Sequence, residues 1–185
     1  MPLTRTRHRF TVDDYEQMVE YGILTENDRV ELIRGEIVTK MPIGDQHIAC
    51  VNRLNRLFGR RVGESAIVSI QNPIRLPDSE PEPDLALLRP REDFYASGKP
   101  QPDDIFLVIE VADTTLDYDR EDKRSLYAEA AIPEYWIVNL VNRCLEVYRQ
   151  PRPDGHFADV NSIYAGQEID VIAIPGISVA VAEIL

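Results

Sequence analysis

Apolar and polar positions alternate along this chain in two periods, and the change from one to the other marks out its elements. Residues 105–111, Ile-Phe-Leu-Val-Ile-Glu-Val, form an apolar run broken only by Glu110. Such a run predicts a strand covered on both faces by helices. Residues 84–88 and 135–138 carry two further apolar runs of strand length. Between 105–111 and 135–138, residues 119–131 follow helical spacing, with Asp119, Lys123, Leu126, Tyr127 and Ala130 on one face. Strand, helix and strand at this spacing predict a right-handed crossover and parallel pairing of 105–111 with 135–140.

Upstream, Thr11 and Asp14 have the spacing of a capping box, with Phe10 and Tyr15 placed to staple a helix that ends near Tyr21, before Gly22. Residues 29–33 and 36–39 flank Arg34-Gly35 as a β-hairpin, in which Glu31 points away from Val30 and Leu32. Residues 45–61 predict a second helix, with His47, Val51, Leu54 and Phe58 on one face and Arg53, Arg56 and Arg60 on another. Residues 66–70 and 73–76 are expected to be extended. Residues 77–83 are an acidic, proline-rich loop, and 89–104 a polar loop with one helical turn near Glu92. Residues 144–149 should return as a hairpin through Asn142-Arg143; residues 157–164 and 177–185 read as edge strands and a tail. The whole is expected to be an α/β protein, one domain over residues 1–185, with a mixed sheet flanked by helices.

Composition narrows the function. The 44% hydrophobic and 28% charged content is that of an ordinary globular protein, with no apolar run of bilayer length. The N-terminus, Met1 to Phe10, is polar and basic, unlike a secretory signal. Cys50 and Cys144 lack metal-type spacing and are expected to be buried thiols, which points to a cytoplasmic location. A net charge of −12 argues against general electrostatic binding of nucleic acid. The arginine stripe Arg53, Arg56 and Arg60 is the local exception, either a phosphate-contacting face or an ordinary solvated one.

The chemistry is expected at the strand ends. A carboxylate in a buried strand costs several kcal/mol unless it is paired, protonated or bound to a cation. Lys123, on the buried side of a helix start, is the obvious partner for Glu110. Asp84 opens the neighbouring apolar run. Two hard carboxylates suit Mg²⁺, and a positioned lysine can orient a water or stabilise phosphorane charge. The same residues fit a structural Glu110–Lys123 pair with Asp84 as a turn residue, and the pattern leaves both readings open. Glu31 is either a further carboxylate of the site or a surface strand residue. His47, on an apolar face, reads first as a core histidine. Asp113 and Asp119 read as loop and helix-start acids, and His8 and His156 have no evident partners.

Asp84, Glu110 and this order of elements resemble the PD-(D/E)XK restriction-endonuclease-like superfamily. More narrowly, Glu31-Leu32-Ile33-Arg34-Gly35-Glu36, Pro83-Asp84-Leu85, Ile109-Glu110-Val111, Tyr127-Ala128-Glu129-Ala130 and Pro133-Glu134-Tyr135-Trp136-Ile137-Val138 are similar to the Uma-two family of nuclease-like proteins. The likeness runs from about Phe10 to Arg149, and the Glu-Tyr-Trp block is its most specific part. It implies a restriction-endonuclease-like core and a Mg²⁺-dependent DNA endonuclease, with Mn²⁺ as a substitute ion, Asp84 and Glu110 as metal ligands and Lys123 completing the catalytic set, which Glu31 would join as a further carboxylate. Gln71 stands where the superfamily sometimes has a polar site residue. The superfamily's lysine two residues beyond the second acid is Ala112 here, and Lys123 on the next helix, the position expected in this family, takes its place. The second reading is a catalytically degenerate module that keeps the fold for binding or oligomerisation. DNA as substrate and a homodimer are the expected partners.

Overall fold

In a computed structural model, residues 7–185 are described; Met1 to Thr6, part of the basic N-terminus discussed above, lie outside them. Six strands form the central sheet in the order β3-β4-β5-β6-β7-β8: β3 Ile67–Ile70, β4 Leu85–Leu88, β5 Ile105–Ala112, β6 Glu134–Asn139, β7 Cys144–Pro151 and β8 Phe157–Tyr164. β5 and β6 pair in parallel, as the crossover spacing predicts, and every other neighbouring pair in this sheet is antiparallel.

The sheet has an apolar core on each face. Leu107 and Ile109 of β5 pack with Val51, Leu54 and Phe58 of α2, Asp45–Arg61. Val108 and Ala112 pack with Leu126 and Tyr127 of α4, Arg124–Glu129. Strand alternation therefore sends Glu110, between Val111 and Ile109, to the α4 face. Glu134, in the specific Glu-Tyr-Trp block, is structural: its carboxylate accepts from Trp136 Nε1 at 2.9 Å, Arg149 Nε at 2.8 Å and the Ile172 amide at 3.0 Å. It ties β6 and β7 to the C-terminal segment.

A smaller subdomain leans on one end of the sheet. α1, Val12–Glu20, starts at the expected Thr11–Asp14 capping box, and its Tyr15 hydroxyl donates to the Val30 carbonyl at 3.1 Å. The hairpin of β1 Val30–Ile33 and β2 Glu36–Thr39 turns at Gly35, φ +75°, where a Cβ would lie 2.8 Å from Arg9 Cβ and 2.9 Å from the Phe10 carbonyl oxygen. Only glycine fits that close approach.

Three expectations change. The helix predicted over 119–131 begins earlier, as α3 Leu116–Tyr118, passes through a π-type turn at Asp119–Lys123 and ends with α4 at Glu129. Ala131, at φ +58°, and Pro133 stop it. Residues 73–76 form no strand; the Ile74 and Leu76 amides donate to the Pro81 and Ser79 carbonyls, lacing this stretch to the proline-rich loop. Of residues 177–185, only β10 Ser178–Ala180 is a strand, and it pairs with β9 Glu168–Asp170 in a separate ribbon. No helix among the described residues is long and apolar enough to cross a membrane.

Candidate functional site

The antiparallel β4–β5 register pairs Leu85 with Ile109, so one step further along brings Asp84 beside Glu110. Both side chains line a cleft of about 1110 Å³ between the α1–hairpin subdomain and the loop leading into α3. Glu31, His47, Gln71, Asp113, Asp119, Tyr118 and Lys123 line the same cleft. The sequence-predicted trio of Asp84, Glu110 and Lys123 is thus brought together, and Glu31 joins it from β1.

Each of the two carboxylates has one oxygen held tightly and one held loosely. Asp84 Oδ2 accepts from His47 Nε2 and the Val111 amide, both at 2.9 Å, while Oδ1 takes a single long bond from Gln71 Nε2 at 3.3 Å. Glu110 Oε1 accepts from Lys123 Nζ at 2.9 Å and the Tyr127 hydroxyl at 2.8 Å; among the described residues Oε2 has only the Asp84 amide, at 3.4 Å. Lys123 also lies 3.9 Å from Glu31 and 5.9 Å from the centre of the Tyr118 ring. Glu31 in turn accepts from the Glu82 amide at 3.2 Å.

Burial dominates the electrostatics. It pushes Glu110 up to about 8, with Asp84 and Asp119 adding to the rise and Lys123 only partly opposing it. Desolvation alone would lower Lys123, but Glu110, Glu31 and Asp119 more than reverse this and hold it well above its ordinary value. Lys123 is therefore an ammonium at neutral pH. Asp84 is also buried, which would raise it, yet hydrogen bonds from His47 and the Val111 amide and the nearby charge of Lys123 keep it below the usual carboxylate range. Burial likewise raises Asp119, whose Oδ2 accepts from the Thr115 hydroxyl at 2.7 Å.

The donors fit a small hard cation better than a closed cage. Among the described residues, no group of three or more His, Cys, Asp and Glu side chains is arranged to hold a metal ion. Mg²⁺ commonly takes only one or two carboxylates and completes its shell with water and substrate phosphate. The loosely held Asp84 Oδ1 and Glu110 Oε2 match that demand.

The other sequence candidates fall elsewhere. Arg53, Arg56 and Arg60 are exposed on α2, with Arg53 donating to the Ile184 carbonyl at 3.4 Å, and none of them lines the cleft. Arg120 is turned away to Glu146, at 2.6 Å. His8 stacks edge-on against Phe10, and His156 pairs with Asp154 at the surface, 3.4 Å apart. Tyr127 and Tyr118 were not singled out by sequence. Tyr127 lies one helical turn beyond Lys123, a spacing that could have marked it as a second donor to Glu110.

A mixed sheet covered by helices, with two acids and a lysine gathered where β4 and β5 meet, defines a protein of the restriction-endonuclease-like fold. The chain belongs to the Uma2 (Uma-two) family, described as "Putative restriction endonuclease", whose profile matches residues 12–182. A crystal structure of a "putative nuclease belonging to DUF820" from Anabaena variabilis ATCC 29413 superposes with a TM-score of 0.68 over 95% of this chain and 97% of that one, at 14% identity. At that identity the likeness concerns the fold. Among curated proteins, none matches the chain.

Proposed function

We propose that the protein is a Mg²⁺-dependent endonuclease that hydrolyses phosphodiester bonds in DNA, with Mn²⁺ able to replace Mg²⁺. The observation that carries this is the pair of loosely held oxygens on Asp84 and Glu110, two residues that line one cleft with the ammonium of Lys123. Four acids, Glu31, Asp84, Glu110 and Asp119, are buried around Lys123, more than a single lysine can pair, which supports a cation at this site. Membership of the Uma2 family supports the nuclease class.

In this reading Asp84 and Glu110 hold the ion. When bound, it supplies Lewis-acid polarisation of the phosphoryl group and neutralises developing charge. Lys123, kept protonated, orients the attacking water and donates N–H to the charge that develops on the phosphate, rather than removing a proton. Tyr127 helps to hold the Glu110 side chain by donating to the same Oε1. Glu31 keeps Lys123 cationic and positioned.

The test is twofold. Mn²⁺ titrated into the metal-free protein should bind at one site per chain, and supercoiled DNA should be cut in Mg²⁺ or Mn²⁺ but not in EDTA. Absence of ion uptake would rule the reading out. Each chain offers one such cleft, so a double-strand break made in a single encounter would require the homodimer, whereas nicking needs one copy. The two buried free cysteines fit a cytoplasmic location.

Affinity for DNA is expected to depend on Arg53, Arg56 and Arg60. Changing all three to Gln should weaken binding and flatten its salt dependence, with the log–log slope falling by roughly 0.9 for each phosphate that the stripe had neutralised. Binding isotherms at several salt concentrations measure this, and an unchanged slope would assign the stripe to solvation.

A further inference from the structure

We infer that His47, with Gln71 beside it, is the positioning residue that sets the Asp84 carboxylate for cation binding, an inference that rests on the metal-site reading above. His47 is 7% exposed, and its Nε2 lies 2.9 Å from Asp84 Oδ2. Its Nδ1 is buried and has no hydrogen-bond partner among the described residues. A neutral imidazole has one N–H, and the carboxylate contact requires that proton on Nε2. Nδ1 then carries a lone pair, and no acceptor is needed there. A histidine retained only for the core would be expected to have both ring nitrogens satisfied or to be replaced by an apolar side chain. This one satisfies only the nitrogen that meets Asp84.

Gln71 gives an independent observation at the same carboxylate. It has φ +50°, a left-handed conformation uncommon outside glycine, at the end of β3. Backbone strain of this kind persists where surrounding structure over-determines it, and it clusters at functional sites. Here its backbone amide donates to the Asp84 carbonyl and its side-chain amide to Asp84 Oδ1, both at 3.3 Å. With the Val111 amide, three donors from α2, β5 and the end of β3 fix one carboxylate rotamer. The two bonds to Oδ2 are the short ones, which turns Oδ1 into the available ligand. Groups that orient a ligand in this way typically change metal affinity by about 10–100-fold when removed.

Two measurements on the full-length protein test this. Nitrogen-15 spectra of the metal-free protein should show His47 as the Nε2–H tautomer, with that signal shifted in Asp84→Asn. Mn²⁺ calorimetry on folded His47→Leu should give an affinity about 10–100-fold below wild type, while His47→Gln, whose amide nitrogen can replace Nε2–H, should return to within about threefold. In EDTA His47→Leu should melt modestly below wild type, since buried Asp84 loses a hydrogen bond and removal of the unpartnered Nδ1 offsets only part of this, so affinities are compared on the folded proteins. If His47→Leu does not fold, Gln71→Leu takes its place, with a smaller loss expected. Wild-type affinity in the folded Leu variant, equal losses in the Leu and Gln variants, or an Nδ1–H tautomer would each overturn the inference alone. Wild-type protein that takes up no Mn²⁺ would overturn the metal-site reading and this inference with it.

Discussion

Replacing Lys123 with alanine is expected to lower DNA cleavage by about 10²–10³-fold while leaving cation uptake intact or tighter. The sign of the second effect comes from charge. Lys123 is the buried cation nearest Glu110 and Glu31, so its removal leaves the cleft more negative and more attractive to Mn²⁺. The loss of rate comes from the transition state, because an ammonium that meets charge developing on the phosphate contributes most when that charge has formed. Stability should also fall. Breaking a buried pair by removing one partner typically costs about 3–5 kcal/mol, and the lower end applies here because Glu110 can take up a proton instead. Lys123→Met, which keeps most of the volume, should recover part of this stability and none of the activity. Single-turnover cleavage and Mn²⁺ calorimetry on the two variants separate the roles. Full cleavage by a folded Lys123→Ala protein would leave the Glu110 pair as purely structural.

The Glu110–Lys123 contact was legible because two local rules converge on it. A carboxylate in a buried strand demands a partner, and helical spacing aims Lys123, not Arg120, at the strand end. The parallel β5–β6 pairing was readable from a separate rule, the strand–helix–strand spacing that implies a right-handed crossover. The π-type turn at Asp119–Lys123 was not readable, since it is a shift in backbone hydrogen bonding that leaves no periodic trace in side-chain type.

The meeting of His47 and Gln71 on Asp84 was hidden for a different reason. His47 does share the apolar face of Val51 and Leu54, as its spacing indicates, but it stands in the first turn of α2 and meets Asp84, just before β4, rather than joining the apolar core. Knowing this requires the placement of α2 over β4 and β5, a long-range fact. The arginine stripe shows the same limit. Its exposure follows from helix spacing, while its distance from the cleft depends on which end of α2 lies over the strand ends.

Cation affinity is expected to rise steeply with pH up to about 8 and then level off, because Glu110 must give up a proton to become a ligand. Burial is the main cause of its raised value, reinforced by Asp84 and Asp119, and Lys123 offsets only part of it. Below 8 each pH unit then costs about tenfold in affinity, equivalent to about 1.4 kcal/mol. Mn²⁺ binding near pH 7 should accordingly release a proton, visible as a calorimetric enthalpy that changes with buffer ionisation. Asp84, already held below the ordinary range, contributes no such slope there. Thus Asp84→Asn should bind far more weakly yet keep the pH dependence, whereas Glu110→Gln should bind weakly and lose it. The stability of the metal-free protein carries the opposite sign. A carboxyl raised in the folded state contributes stability that is fully present below its ordinary value of 4.5 and is lost as pH rises through about 8. The metal-free protein should therefore lose on the order of 1 kcal/mol per pH unit across that window from this group, and saturating Mn²⁺ should remove the loss. Denaturant unfolding at pH 6 and pH 8, with and without Mn²⁺, measures both slopes; a metal-free protein equally stable at the two values would show that Glu110 is ionised throughout.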